Sequence, residues 1–425
     1  MKERKKREKE KSLPAFFLFL FPVVLLCASC ATMVPRRDLP APLTNKGYGN
    51  PVKVVSIPLP AVSTDPNEGL TWGALDALLV YDKKGAVRTL LAPQINDNHY
   101  YGVSGTIYGA IYPRPGRSWQ VNLSRSQHVN FDYEATFRDI DDIRKNLELN
   151  AWGYYFNNGS GRFYGFHSSS RLKNQTNYGD EEAGFTASGT FGVLPRIYVE
   201  VSERLRKVTI TKGAVKTLPF IGDVFTLQEV PGINGFVTDA QGLSLIYCSL
   251  DSVEMPTKGI YAKAGLEWSR KFLGSSANFY HYEISAKDFI PASRRRYITV
   301  ARGVYNQTSG SNVPFLERSI LGGEDTLRGY GDNRFIDDSY LLFNLEERIT
   351  LFTRSLFHVK TRWQLAPFLD AGAVMHTIWD IRFKDFKFNP GLGFRATVPP
   401  NIVGRVDVGV GNEGPAVFVG LGYPF

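Results

Sequence analysis

The sequence predicts an all-β chain folded as a transmembrane antiparallel β-barrel of about sixteen strands. Three observations carry that expectation. From Ile57 onward apolar and polar residues alternate with period two, in runs broken by Gly, Asn, Asp, Ser or Pro, and no long 3.6-residue pattern stands out. Composition agrees: 40 Gly, 21 Tyr and 29 Phe stand against four Met and three Cys. The mean hydropathy of −0.19 argues against a helical membrane protein and suits a barrel, because barrel strands alternate apolar and polar residues.

In chain order, residues 1–30 read as a secretion signal. Lys2 to Lys11 hold seven basic and three acidic residues, followed by an apolar core from Ala15 to Leu26. That core is short for a membrane helix, which needs about 20 residues. The basic segment supplies +4 of the formal +9 and leaves +5 for the rest, so the charge is no argument for a nucleic-acid partner. Cys27-Ala28-Ser29-Cys30 leaves two readings open. One is a lipoprotein box with Cys30 as the lipidated residue; the other is ordinary cleavage near Ala31. Cys27 stands where such a box normally has leucine. Cys248 is the one cysteine well inside the mature chain, so no internal disulfide framework is expected. Residues 31–55, rich in proline and polar residues, read as a linker, and residues 56–425 as the barrel.

The alternating runs begin with Gly69–Tyr81 and continue through Ile107–Tyr112, Trp119–Leu123, Val129–Phe137, Leu149–Phe156, Gly161–His167, Phe185–Gly192 and Arg196–Arg204. Ser244–Ser249, Ile260–Ser269, Ala277–Ile284 and Tyr297–Tyr305 follow. Within Ile260–Ser269, Ala262, Ala264, Leu266 and Trp268 share one face, while Tyr261, Lys263, Gly265 and Glu267 share the other. One face suits lipid and one a wet lumen. Near the end Arg405, Asp407 and Gly409 face inward between Val406, Val408 and Val410. Ala416–Phe425 then places Val417, Val419, Leu421, Tyr423 and Phe425 on one face and Phe418, Gly420 and Gly422 on the other.

The stretch from Glu317 to Phe335, ERSILGGEDTLRGYGDNRF, breaks the pattern. Gly322, Gly323, Gly329 and Gly331 make a poor strand and a poor helix, so it reads as a long loop with fixed turns.

This loop resembles the inward-folded loop of the BamA/TamA family of outer-membrane assembly barrels, whose core reads GG…(V/L)RG(F/Y). Asn344-Leu345-Glu346-Glu347-Arg348 resembles a strand of that family with Asn, Glu and Arg inward. Pro367-Phe368-Leu369-Asp370-Ala371-Gly372 resembles its F-x-D-x-G strand, and the terminal Phe425 its assembly signal. The likeness is closest over residues 256–425. It implies that Arg328, flanked by Gly329 and Tyr330, enters the lumen and pairs with Glu346 and Asp370, a match for its rigid fork of donors. The residues alone also allow a solvated Arg328, with the carboxylates held by Arg348 or Arg395. Glu347 on the lipid face departs from the family, as does a linker too short for a periplasmic POTRA module.

The resemblance further implies the outer membrane of a diderm bacterium, no enzymatic activity and no cofactor. It implies a role in inserting or translocating proteins, with outer-membrane lipid, client proteins and periplasmic accessory proteins as partners. A seam between Gly69–Tyr81 and Ala416–Phe425, weakened by Gly420 and Gly422, would open to template a client strand. The alternative is a passive channel or surface antigen that keeps the fold.

Other signals are discounted. Gly409-x-Gly411-x-x-Gly414 matches a dinucleotide fingerprint but precedes Pro415 and a strand, so it reads as a hairpin. The six histidines are scattered, giving no metal-ligand spacing. Asp139, Asp141 and Asp142 read as a solvated turn. No G-x-S-x-G elbow or other nucleophile–base constellation is legible.

Overall fold

The computed structural model describes residues 30–39, 46–114, 116–141, 147–253, 255–356, 359–398 and 402–425. The secretion signal up to residue 29 and Asp142 lie outside these, as do the side chains of Cys30, Asp141 and Leu421.

The chain begins with β1 (Cys30–Val34), β2 (Val52–Asp65), β3 (Gly69–Tyr81), β4 (Val87–Asn98), β5 (Gly102–Arg114), β6 (Arg117–Ser126) and β7 (Phe131–Asp141). It continues through β8 (Leu147–Phe163), β9 (Thr176–Leu194), β10 (Ile197–Thr211), β11 (Phe236–Cys248), β12 (Gly259–Ser269), β13 (Phe279–Ala292) and β14 (Tyr297–Gly310). A small hairpin, β15 (Ser319–Leu321) and β16 (Phe335–Asp337), interrupts the series. β17 (Ser339–Leu356), β18 (Val359–Met375), β19 (Lys387–Val398), β20 (Ile402–Gly411) and β21 (Gly414–Leu421) complete it. Each large-sheet strand pairs antiparallel with the next, and β14 passes directly to β17, giving a 19-stranded meander. β21 returns beside β2 with Cα atoms within 8 Å, yet among the described residues no ladder joins the two.

Leaving β1 aside, the wall has one strand fewer than that 19-stranded sheet, eighteen rather than the expected sixteen. The difference lies in strands that carry proline. β2 holds Pro58 and Pro60, β4 holds Pro93 and β19 holds Pro390, and each reads as a break in the alternation. In the other direction, 149–156 and 161–167 are largely one strand, β8, with a register shift between Asn158 and Gly161. The linker expectation for 31–55 is also corrected. β1 pairs with Val52–Ser56, and Tyr48, Val52 and Val80 pack together.

The side chains are distributed inside out. Trp72, Ile95, Ile107, Ile284 and Leu345 are each at least half exposed on the outer surface, while Asn344, Glu346, Arg348, Gln364, Arg395 and Asp407 are buried in the lumen. A charged interior with an apolar exterior is the arrangement a lipid surround selects. Glu347 on the outer face accepts a hydrogen bond from Thr299 Oγ1 at 2.6 Å. Asp139 is not a solvated turn: it is buried in β7, 2.7 Å from Arg114 and bonded to Arg117.

The connections differ at the two ends. At the end where β2 begins and β21 leaves, most strand-to-strand turns are short; the opposite end carries the connections 164–175, 212–235, 311–338 and 376–386. Phe163, Tyr178, Ile221, Val230, Phe315 and Ile336 form an apolar cluster that fills this outer end.

Candidate functional site

The stretch 317–335 descends from the outer end into the lumen, held at three points. At its start Glu317, 4% exposed, accepts hydrogen bonds from Arg204 at 2.8 Å, Arg206 at 3.2 Å and Thr238 at 2.9 Å, which ties it to β10 and β11. At its exit Arg334 Nε lies 2.9 Å from both oxygens of Glu413. Between these, β15 and β16 pair and the chain turns back on itself. Gly322 and Gly323 have φ of +121° and +94°, which a side chain would strain. The amide of Gly323 donates to the carbonyl of Tyr330 at 3.0 Å, closing the loop.

Arg328 sits at the tip, fully buried. Its Nε and Nη2 bond the two oxygens of Asp370 at 2.9 and 2.8 Å, and its backbone N–H adds a 3.2 Å bond to the same carboxylate. Nη1 reaches Glu346 Oε2 at 2.7 Å. The guanidinium lies 3.5 Å from the centroid of the Phe368 ring, a cation–π contact in a water-poor site. The structure thus brings Arg328, Glu346 and Asp370 together.

It also unites the two alternatives that the residues alone left open, because Glu346 bonds Arg348 at 2.9 Å and Arg395 at 3.1 Å as well. The sequence reading missed Asp407, which lies 2.7 Å from Arg395, 3.2 Å from Arg405 and 3.7 Å from Arg328. Its inward parity beside Arg405 was legible; its membership of this network was not. Arg405 in turn bonds Glu324 of the loop at 2.9 Å. Four arginines and three carboxylates from the loop and four strands thus form one buried cluster, with Glu324 at its rim as the fourth carboxylate.

The wall is shaped to receive the loop. A Cβ on Gly409 would stand 2.1 Å from the carbonyl oxygen of Arg328, and one on Gly329 2.6 Å from the Cβ of Asn389. Two glycines of the apparent dinucleotide fingerprint, Gly409 and Gly411, therefore provide close approach of loop to wall beside a hairpin. Tyr330 points to that hairpin, donating to Asn412 Oδ1 at 2.8 Å.

The C-terminus corrects another expectation. β21 ends at Leu421, and Gly422, with φ of +85°, turns the chain. Tyr423 and Phe425 then enter the lumen instead of sharing the lipid face with Val417 and Val419. Tyr423 stacks on Arg348 at 3.6 Å and donates to buried Gln364 at 3.2 Å. Phe425 packs on the Phe289, Ile298 and Val300 cluster, its ring 5.4 Å from the Arg328 guanidinium. Gly420 faces inward opposite Arg405, and a Cβ there would crowd Glu324 at 3.1 Å. The open seam lies between β21 and β2, not β3.

A model of the Omp85 superfamily domain matches residues 115–411. The chain belongs to the Omp85 superfamily. Among solved structures, this Omp85 barrel is similar to BamA from Haemophilus ducreyi lacking POTRA domains 1–3, with a TM-score of 0.51 and 12% identity. That alignment covers 96% of this chain and 78% of the other. It also matches CdiB from Acinetobacter baumannii with a TM-score of 0.38 and 10% identity, over 93% of this chain and 65% of CdiB. A search of curated protein sequences returns no match. The chain is an outer-membrane β-barrel of a diderm bacterium.

Proposed function

We propose that this Omp85 barrel inserts or translocates proteins at the outer membrane by a non-enzymatic route, with the edge of β2 as the template for a client strand. The observation that carries this reading is the unzipped boundary between β2 and β21. The β2–β3 ladder runs unbroken through Pro58, opposite Asp76, and Pro60, opposite Ala74. Proline cannot donate, so the missing donors fall on the other edge, toward β21. That edge already accepts one added strand: Val52–Ser56 pairs with β1 on one side and, at Val54, Val55 and Ser56, with β3 on the other. An open edge that takes a further strand is the physical basis of strand addition. The loop, fixed through Arg328 to β17, β18, β19 and β20, braces the wall on the β21 side of the seam while the edge exchanges partners. Client outer-membrane or secreted proteins and periplasmic accessory proteins are the partners this reading requires.

The test is to delete the gene and quantify the outer-membrane proteome together with secreted proteins. Selective loss of one or several other barrels, or of a secreted protein, is the expected result. An unchanged proteome with altered permeability to small solutes would overturn the proposal and leave a passive channel.

A further inference from the structure

Away from the lumen cluster, four titratable side chains meet at the outer end, where three connections converge. Asp337 closes β16 and Asp338 follows it; His376 comes after β18 and His167 after β8. Ligand-capable atoms of Asp337, Asp338 and His376 all lie within 4.8 Å of one another. His376 Nδ1 stands 2.6 Å from Asp338 Oδ2, and His167 Nδ1 stands 2.6 Å from Asp337 Oδ2. His167, Asp337 and His376 line a cavity of about 530 Å3.

The charges there do not balance. Asp338 has Arg318 at 2.7 Å. The Asp337 side chain is only 3% exposed, and among the described residues no lysine or arginine reaches ion-pair distance of it. Its partners are the backbone N–H of Asp338, at 2.8 Å, and the His167 ring. A buried carboxylate is ordinarily paired with a cation or bound to a metal, and among the described residues Asp337 has no guanidinium or ammonium partner.

We propose that Asp337, Asp338 and His376 bind one divalent cation of the Zn2+ type on the outer face of the barrel, with His167 holding Asp337 in position. Imidazole combined with carboxylate favours Zn2+ and its late first-row neighbours, whereas Ca2+ and Mg2+ favour oxygen-only sets. The ion takes the place of the proton in the His376–Asp338 bond, while the His167–Asp337 bond stays intact. It would tie the connection after β18 to the base of the inward loop. This site departs from the expectation of no metal site, which rested on sequence spacing alone. The site is independent of the insertion proposal.

The experiment uses the full chain without a histidine tag, folded in detergent and stripped with chelator. It is titrated with ZnCl2 and, separately, with CaCl2, by calorimetry and thermal unfolding. The expected result is one equivalent of Zn2+ bound and a higher unfolding midpoint, with roughly tenfold or greater loss of affinity in His376→Ala and in Asp337→Asn. The His376 side chain is 70% exposed, so its variant keeps the fold and remains a fair test. The proposal is overturned by absence of saturable Zn2+ binding, by equal affinity in both variants, or by Ca2+ binding as tightly as Zn2+.

Discussion

At the residue scale, Arg328 decides whether the loop stays in the lumen, and its surroundings specify how its loss would act. Glu346 would still hold Arg348 and Arg395 after Arg328→Ala. Asp370 would keep only neutral partners, Asn344 at 2.8 Å and Asn389 at 3.2 Å. Removing one partner of a buried pair costs about 3–5 kcal/mol, mostly through the charge left behind. Arg328→Ala is therefore expected to free the loop, seen as new protease cleavage between residues 322 and 334. Adding Asp370→Asn should restore part of the protection, and adding Glu346→Gln should not. Gly409→Val makes the converse test, since the new Cβ meets the Arg328 carbonyl at 2.1 Å. It should expel the loop with every charge still present, and an unchanged cleavage pattern would refute the close-packing account. Much of this was legible in sequence, because strand parity alone places Glu346, Asp370 and Asp407 inward. What parity cannot show is distance across the lumen, and Asp407 and Glu317 acquire their roles only there.

At the element scale, the seam is set by β2, the strand that sequence reading lost. Pro58 and Pro60 interrupt the alternation, and the same missing donors that hide the strand keep its outer edge unpaired. Replacing both with valine is expected to let β21 zip onto β2. Each cross-strand pair gained adds roughly 0.2–1 kcal/mol. Hydrogen exchange should then slow across residues 57–65 and insertion activity should fall; unchanged exchange would show that something other than proline holds the seam open. The C-terminal residues misled for a related reason. Alternation from Val417 extrapolates smoothly through Phe425, and only the turn at Gly422 sends Tyr423 and Phe425 into the lumen. Their new neighbours, Arg348 and the Phe289 cluster, come from strands far away in sequence.

At the scale of the whole molecule, the barrel is a wall with a filled outer end, a braced interior and one unzipped line. The apolar cluster around Phe163 and Phe315 fills the outer end, and the arginine–carboxylate cluster fixes the loop beneath it. In the function proposed above, this bracing serves protein insertion or translocation. The most direct measurement is the outer-membrane and secreted proteome of strains carrying Arg328→Ala alone and Arg328→Ala with Asp370→Asn, each checked for wild-type levels of the variant barrel. Selective loss of other barrels or secreted proteins in the first strain, partly reversed in the second, is the result this account predicts. A normal proteome in the Arg328→Ala strain, with the variant present in full amount, would contradict it.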